Sequence, residues 1–273
     1  MKRTYVVTGA ASGIGQATAT LLRNRGARVI GVDVRSVDVI ADLSTPQGRQ
    51  EAIDGILCEA GRRLDAVIAN AGLALPTATT VAVNYFGAVE LLDGLRPALA
   101  AARAPRAVVT SSMATLMPVS RELVDACLAG DETLALKLAG ELETSGVAGG
   151  SSIYPSSKRA LSRWVRREAA SARWAGCGIP LNAVAPGIVE TPMVAGLMGD
   201  PQTAAATDAM VPMPLGGHLK AGEVAALLAW LTSEENTGVC GQTIYIDGGS
   251  DVVLRGDDVW SWNDPVAEAV AAG

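Results

Sequence analysis

The chain has 273 residues, 49% of them apolar and 18% charged, with a net charge of −6. That composition supports a sizeable core and excludes an intrinsically disordered chain, while the lack of any lysine or arginine run argues against nucleic acid or an anionic membrane as the main partner. Four scattered cysteines without CxxC spacing and a single histidine, His218, argue against a metal site and read as free thiols in a reducing compartment.

Short β-branched runs recur along the chain, separated by helical stretches. The first, TYVVT (4–8), runs into TGAASGIG (8–15) and a helix over 13–25. Gly9, Gly13 and Gly15 permit a tight turn and let a pyrophosphate approach the backbone where a helix begins. Ser12 and Ile14 fall in the same turn. RVIGV (28–32) follows, closed by Asp33, 18 residues after Gly15. A carboxylate there accepts hydrogen bonds from ribose hydroxyls and repels a 2′-phosphate, so NAD is expected over NADP. Arg35 stands against this as a possible host for that phosphate, or is a solvated loop residue. VDVIA (37–41) comes next, and Asp42–Leu43 after it are either adenine contacts or an ordinary helix-leading turn.

A helix is expected over 46–62, a strand at DAVIA (65–69), a helix over 79–103 and a strand at RAVVT (106–110). Residues 113–152 break the rhythm and carry apolar residues at helical spacing over 119–143. A helix over 155–175 opens at SSIYPSSKRA, where Tyr154 and Lys158, four apart, share a face. A cation beside a phenol favours the phenolate, which suits an acid/base group. Pro155 is expected at a first helical position, where proline is tolerated. PLNAVA (180–185), a long Pro-, Met- and Ala-rich connection (192–219), a helix over 220–233 and TIYID (243–247) complete the series, followed by a tail at 251–273.

Seven strands apolar on both faces, alternating with helices and undivided by a linker, predict one α/β domain over 1–273: a doubly wound, Rossmann-type fold on a seven-stranded parallel sheet. The opening MKRTYVVTGA has no apolar stretch long enough for a signal peptide. No segment approaches about 18 uninterrupted apolar residues, so a cytoplasmic protein that does not span a membrane is expected.

The set TGAASGIG, ANAG (69–72), VNYFG (83–87), VVTSS (108–112), Tyr154-x-x-x-Lys158 and APG (185–187) resembles the short-chain dehydrogenase/reductase family from residue 4 to about 250. GVDVRSVDVIADLSTPQGR (31–49) and VNYFGAVELLDGLRPAL (83–99) are similar to its bacterial 3α-hydroxysteroid dehydrogenase/carbonyl reductase subgroup. The resemblance implies that Tyr154 is the general acid/base, that Lys158 lowers its pKa and binds the nicotinamide ribose, and that Ser112, rather than Ser111, orients the substrate oxygen. It implies that Asn84 holds a water linking Lys158 to solvent. Asn70, Ala71 and Gly72 would line the adenosine side. Ile188 and Thr191, after Pro186–Gly187, would bind the carboxamide and set which ring face gives up hydride.

The chemistry agrees, because the cofactor carries the hydride and the protein must position the carbon and move one proton. With all four of Asn84, Ser112, Tyr154 and Lys158 present, an enzyme is expected rather than a non-enzymatic NAD-binding protein. The 112-to-154 separation, 154 − 112 = 42, is far wider than in most relatives. In the subgroup such an insertion is helical and blocks the usual tetramer contact, so a homodimer is expected. Six of the seven methionines fall in two stretches, 113–117 and 193–213. Met113, Met117, Met193, Leu197 and Met198 are expected to border a pocket for a bulky, apolar cyclic alcohol or ketone, a 3α-hydroxysteroid or small carbonyl compound first and a monoterpenoid or aryl alcohol second. His218 reads as a surface or capping residue. Trp260 and Trp262 would cover the pocket or pack at a dimer contact.

Overall fold

The structure, a computed structural model, describes residues 2–61 and 63–261, apart from the side chains of residues 196–198. The first half alternates β1 (Thr4–Thr8), α1 (Gly13–Asn24), β2 (Arg28–Asp33), β3 (Val39–Ile40), α2 (Pro46–Ala60), β4 (Ala66–Ala69), a one-turn α3 (Ala78–Val81), a π-helical turn at Ala82–Gly87, α4 (Ala88–Ala100) and β5 (Arg106–Thr110). A 3-10 turn (Met113–Leu116) and helices α5 (Arg121–Ala129), α6 (Glu132–Thr144) and α7 (Val147–Glu168) come next. The chain closes with β6 (Leu181–Pro186), β7 (Val189–Glu190), α8 (Pro192–Met198), α9 (Pro201–Met210), β8 (Leu219–Lys220), α10 (Ala221–Leu231), β9 (Thr243–Ile246) and α11 (Ser250–Arg255).

Seven parallel strands form one sheet in the order β3-β2-β1-β4-β5-β6-β9. The winding direction reverses between β1 and β4, which opens a crevice at their carboxyl ends, where ligands of open α/β sheets bind. Buried aliphatic side chains of β1, β4 and β6 pack on one face with α1 and α10, and on the other with α2, α4 and α7. Local chemistry sets many helix ends. The Thr45 hydroxyl accepts from Gly48 N at 3.0 Å with Pro46 at the first position of α2, and the Asp131 carboxylate accepts from Leu134 N at 3.0 Å to start α6. Among the described residues no helix is long and apolar enough to cross a membrane.

Three expectations need correction. The predicted helix at 79–103 is broken by the π turn, which contains Asn84 and ends at Gly87. A Cβ at Gly87 would lie 3.1 Å from the Leu43 carbonyl oxygen, a tight approach that favours glycine. The apolar pattern at 119–143 is two helices, split at Gly130, whose φ of +74° lets the chain reverse. The third concerns Tyr154, which is not at a helix start. α7 begins seven residues earlier and Pro155 lies inside it. The early turns persist because α3, α5 and α6 pack against them. Side chains add local bonds around the proline, Ser156 Oγ to Ser152 O and Ser157 Oγ to Tyr154 O, both 2.7 Å. α7 also stops sooner than predicted, because the chain turns at Ala169 to fold Trp174 edge-on against Trp164, centroids 5.9 Å apart. The two-residue pairing of β7 with β8, unmarked in the sequence, ties together the ends of the long connection that carries α8 and α9.

Candidate active site

A cleft of about 450 Å³ lies at the switch point. Its floor begins with the β1–α1 turn. Gly9 and Gly13 adopt φ of +68° and +52°. Gly15 has no room for a side chain, since a Cβ would lie 2.1 Å from the Gly9 carbonyl oxygen. Thr191 packs over Gly13, its methyl 3.3 Å from where a Cβ would stand. The N-terminus of α1 has no side-chain cap from Ser12 and no acidic residue in its first turn, so its free amides and positive dipole face the cleft uncompensated.

At the end of β2 the Asp33 carboxylate is held by backbone amides, Ala11 N to one oxygen at 3.0 Å and Val34 N to the other at 2.8 Å. Asp42 and Leu43 line the same end. Behind Asn70 and Ala71 stands Thr8, a residue the sequence reading missed. Its hydroxyl accepts from both amides, at 2.9 and 2.8 Å, and its carbonyl accepts from the Asn70 side chain at 3.2 Å. The only signal for it was its place at the end of the first strand.

Tyr154, Lys158 and Ser112 converge at the other end of the cleft. Ser112 accepts from Ala114 N at 3.1 Å and stands close enough to the Tyr154 phenol to influence its pKa. Ser111 is turned into α7 instead, bonding the Ser162 hydroxyl at 2.8 Å and the Lys158 carbonyl at 3.2 Å. The Lys158 ammonium donates to the Thr110 carbonyl at 2.8 Å and lies 5.9 Å from the Tyr154 ring centroid. Burial is the largest influence on both groups. It pushes the phenol up, with Ser112 pulling it back, and brings the lysine down to about 8.

Asn84 is fully buried and clamps Leu73, its Oδ1 accepting from Leu73 N at 2.8 Å and its Nδ2 donating to Leu73 O at 2.9 Å and to Ser157 Oγ at 3.0 Å. Gly72 sits between Asn84 and Lys158. A Cβ there would be 3.0 Å from Asn84 Oδ1 and 3.3 Å from the lysine nitrogen, so any side chain would crowd this space.

Pro186, Gly187, Thr191 and Met193 line the far wall with Val194. Ile188 is buried beneath it, its amide donating to the Met213 sulfur at 3.3 Å, and does not line the cleft. Met113 and Met117 do not line it either, because the 3-10 turn capped by Ser112 carries Met113 into the core. Met210 is exposed on α9. Leu197 and Met198 fall outside the described side chains, and Trp262 outside the described residues.

A glycine turn under an open helix N-terminus, a fixed carboxylate beyond it, and a tyrosine, lysine and serine at the opposite end define a dinucleotide-dependent oxidoreductase site. A family model described as enoyl-(acyl carrier protein) reductase matches residues 9–251, and the chain belongs to the short-chain dehydrogenase/reductase family, enzymes that act on CH–OH groups. The 3-alpha-hydroxysteroid dehydrogenase/carbonyl reductase of Comamonas testosteroni is 40% identical over 92% of this chain and 97% of its own. The cis-4-hydroxycyclohexanecarboxylate dehydrogenase of Sinomonas cyclohexanicum is 32% identical over 91% and 96%. Among solved structures, the 3-alpha-hydroxysteroid dehydrogenase of Pseudomonas sp. B-0831 in complex with NADH aligns with a TM-score of 0.85 and 39% identity, covering 93% of this chain and 99% of that one.

Proposed function

We propose that the enzyme oxidises a neutral, cyclic, apolar secondary alcohol, or reduces the matching ketone, with NAD, a 3α-hydroxysteroid or small carbonyl compound being the first candidate. The carrying observation is the pairing of Tyr154 and Ser112 with a wall made of Met193, Val194 and Pro192, where among the described residues no cationic side chain besides Lys158 lines the cleft to meet an anionic substrate. The names of the Comamonas and Sinomonas relatives support a ring alcohol or carbonyl substrate.

The residues present fit a dinucleotide. The α1 amides would take its pyrophosphate, Asp33 its adenosine ribose, Asn70–Gly72 its middle, and Lys158 its second ribose. When bound, the cofactor supplies the hydride acceptor or donor. The protein moves the proton: Tyr154 takes it from, or gives it to, the substrate oxygen, and Ser112 holds that oxygen by a hydrogen bond. Lys158 and Asn84, with Gly72 leaving space between them, are suited to pass the proton through a water to solvent. Asp33 favours NAD over NADP by charge repulsion.

The test is NADH formation across a panel of steroid, monoterpenoid and aryl secondary alcohols with NAD and NADP in parallel. Turnover of ring alcohols with NAD is expected; activity confined to acyl thioesters or to NADP removes the reading. We further read the protein as a homodimer, with α5 and α6 lying over α7. A stable tetramer in sedimentation overturns that.

A further inference from the structure

We propose that Arg49 is a positioning residue that latches the inserted helix α6 to the adenosine end of the cleft, so that the insertion helps set affinity for the dinucleotide. Arg49, in the first turn of α2, is only 1% exposed. Its guanidinium joins three parts of the fold. Nε donates to Glu90 on α4 and Nη2 to Glu132, the first residue of α6, each at 2.6 Å. Nη1 donates to the Leu43 carbonyl at 3.4 Å.

Leu43 is the hinge of the inference, because it lines the cleft beside Asp42. Its carbonyl is confined on two sides, by Arg49 and by Gly87 at the end of the π turn that carries Asn84. Gly48 presses on the same loop, where a Cβ would lie 2.0 Å from the Asp42 carbonyl. The Asp42–Ser44 wall is thus held in place by a buried cation rather than by strand pairing. That cation is oriented in turn by two carboxylates, one of them supplied by the insertion.

A planar guanidinium suits this task because its fork reaches several acceptors in fixed directions, which a lysine ammonium does not. The remaining Glu132 oxygen is buried without a partner. Such an arrangement costs stability unless the ion pair holds, so the latch is sensitive to loss of either member.

This inference rests on the reading of the cleft as a dinucleotide site. It is tested with ADP-ribose, the dinucleotide without its nicotinamide, titrated by calorimetry alongside KM for NAD and kcat. Arg49→Lys is expected to weaken ADP-ribose binding and raise KM for NAD about tenfold while kcat stays within about twofold, the signature of lost binding rather than lost chemistry. Glu132→Gln, remote from the cleft, is expected to shift both in the same direction by about threefold, and adding it to Arg49→Lys to give less than the product of the single effects. Both keep a polar group at the site, and thermal melting reports their folded fraction. The proposal is overturned by ADP-ribose affinity within twofold of wild type in both folded variants, by multiplicative effects, or by a fall in kcat at constant KM. If the wild-type enzyme binds neither ADP-ribose nor NAD, the reading of the cleft fails first and this inference with it.

Discussion

The floor and the far wall of the cleft are built differently. At the floor, Thr8, Asn84, Ser112 and Lys158 are buried, and each has its polar atoms tied to named backbone or side-chain partners. The far wall hangs on α8 and α9. α9 buries no residue, Met193 is 48% exposed, and Leu215 beyond it is 81% exposed. Rigid hydrogen-bonded positions suit proton transfer, where small displacements are costly. Exposed, loosely held apolar residues suit adaptation to different ring systems at little cost to stability. The difference explains why the reaction class is sharply written in this molecule and the substrate is not.

The largest expected effect breaks the floor. Tyr154→Phe removes the phenol that lines the cleft and is expected to lower turnover by about 10²- to 10⁴-fold with dinucleotide affinity preserved, read from NADH formation and a binding titration. Unchanged activity removes the proton-transfer role.

Next comes Lys158, whose burial lowers its pKa from the ordinary 10.5 to about 8. Between these values the unfolded chain holds a proton that the folded chain lacks, so this group makes stability rise with pH. Between pH 8 and 10, before the upward-shifted Tyr154 begins its opposite contribution, the gain is about 2 kcal/mol. Denaturant melts across that range should show the rise in wild type and its loss in Lys158→Met. A variant with the same slope refutes the burial account.

Gly15→Ala should cost about 1–3 kcal/mol, since the new Cβ meets a backbone carbonyl that cannot yield. Melting temperature and dinucleotide affinity should both fall. The smallest effect sharpens the wall: Met193→Ser should raise KM for large ring substrates a few-fold and for small ones hardly at all, with melting unchanged. An equal rise for both removes the pocket role of Met193.

The alternation of strands and helices and the principal site motifs were legible because they are local. The 8–15 glycine turn, Asp33 at a strand end and the four-residue spacing of Tyr154 and Lys158 each need only one element to be understood. The methionine pattern misled, since composition does not say which side of a 3-10 turn Met113 takes. The helix start before Tyr154 was misjudged because its first turns owe their stability to α5 and α6, which lie outside any local window.

The sequence by itself determined the layered parallel fold, the dinucleotide turn and the tyrosine–lysine pair, because periodicity and spacing act within a single strand or helix. Tertiary structure alone decided that the lysine donates to Thr110, that Asn84 clamps Leu73 through a π turn, and that Arg49 joins α2, α4, α6 and the Leu43 loop. Those contacts join residues far apart in the chain, and a buried polar group takes whichever partners packing brings within reach once water is excluded.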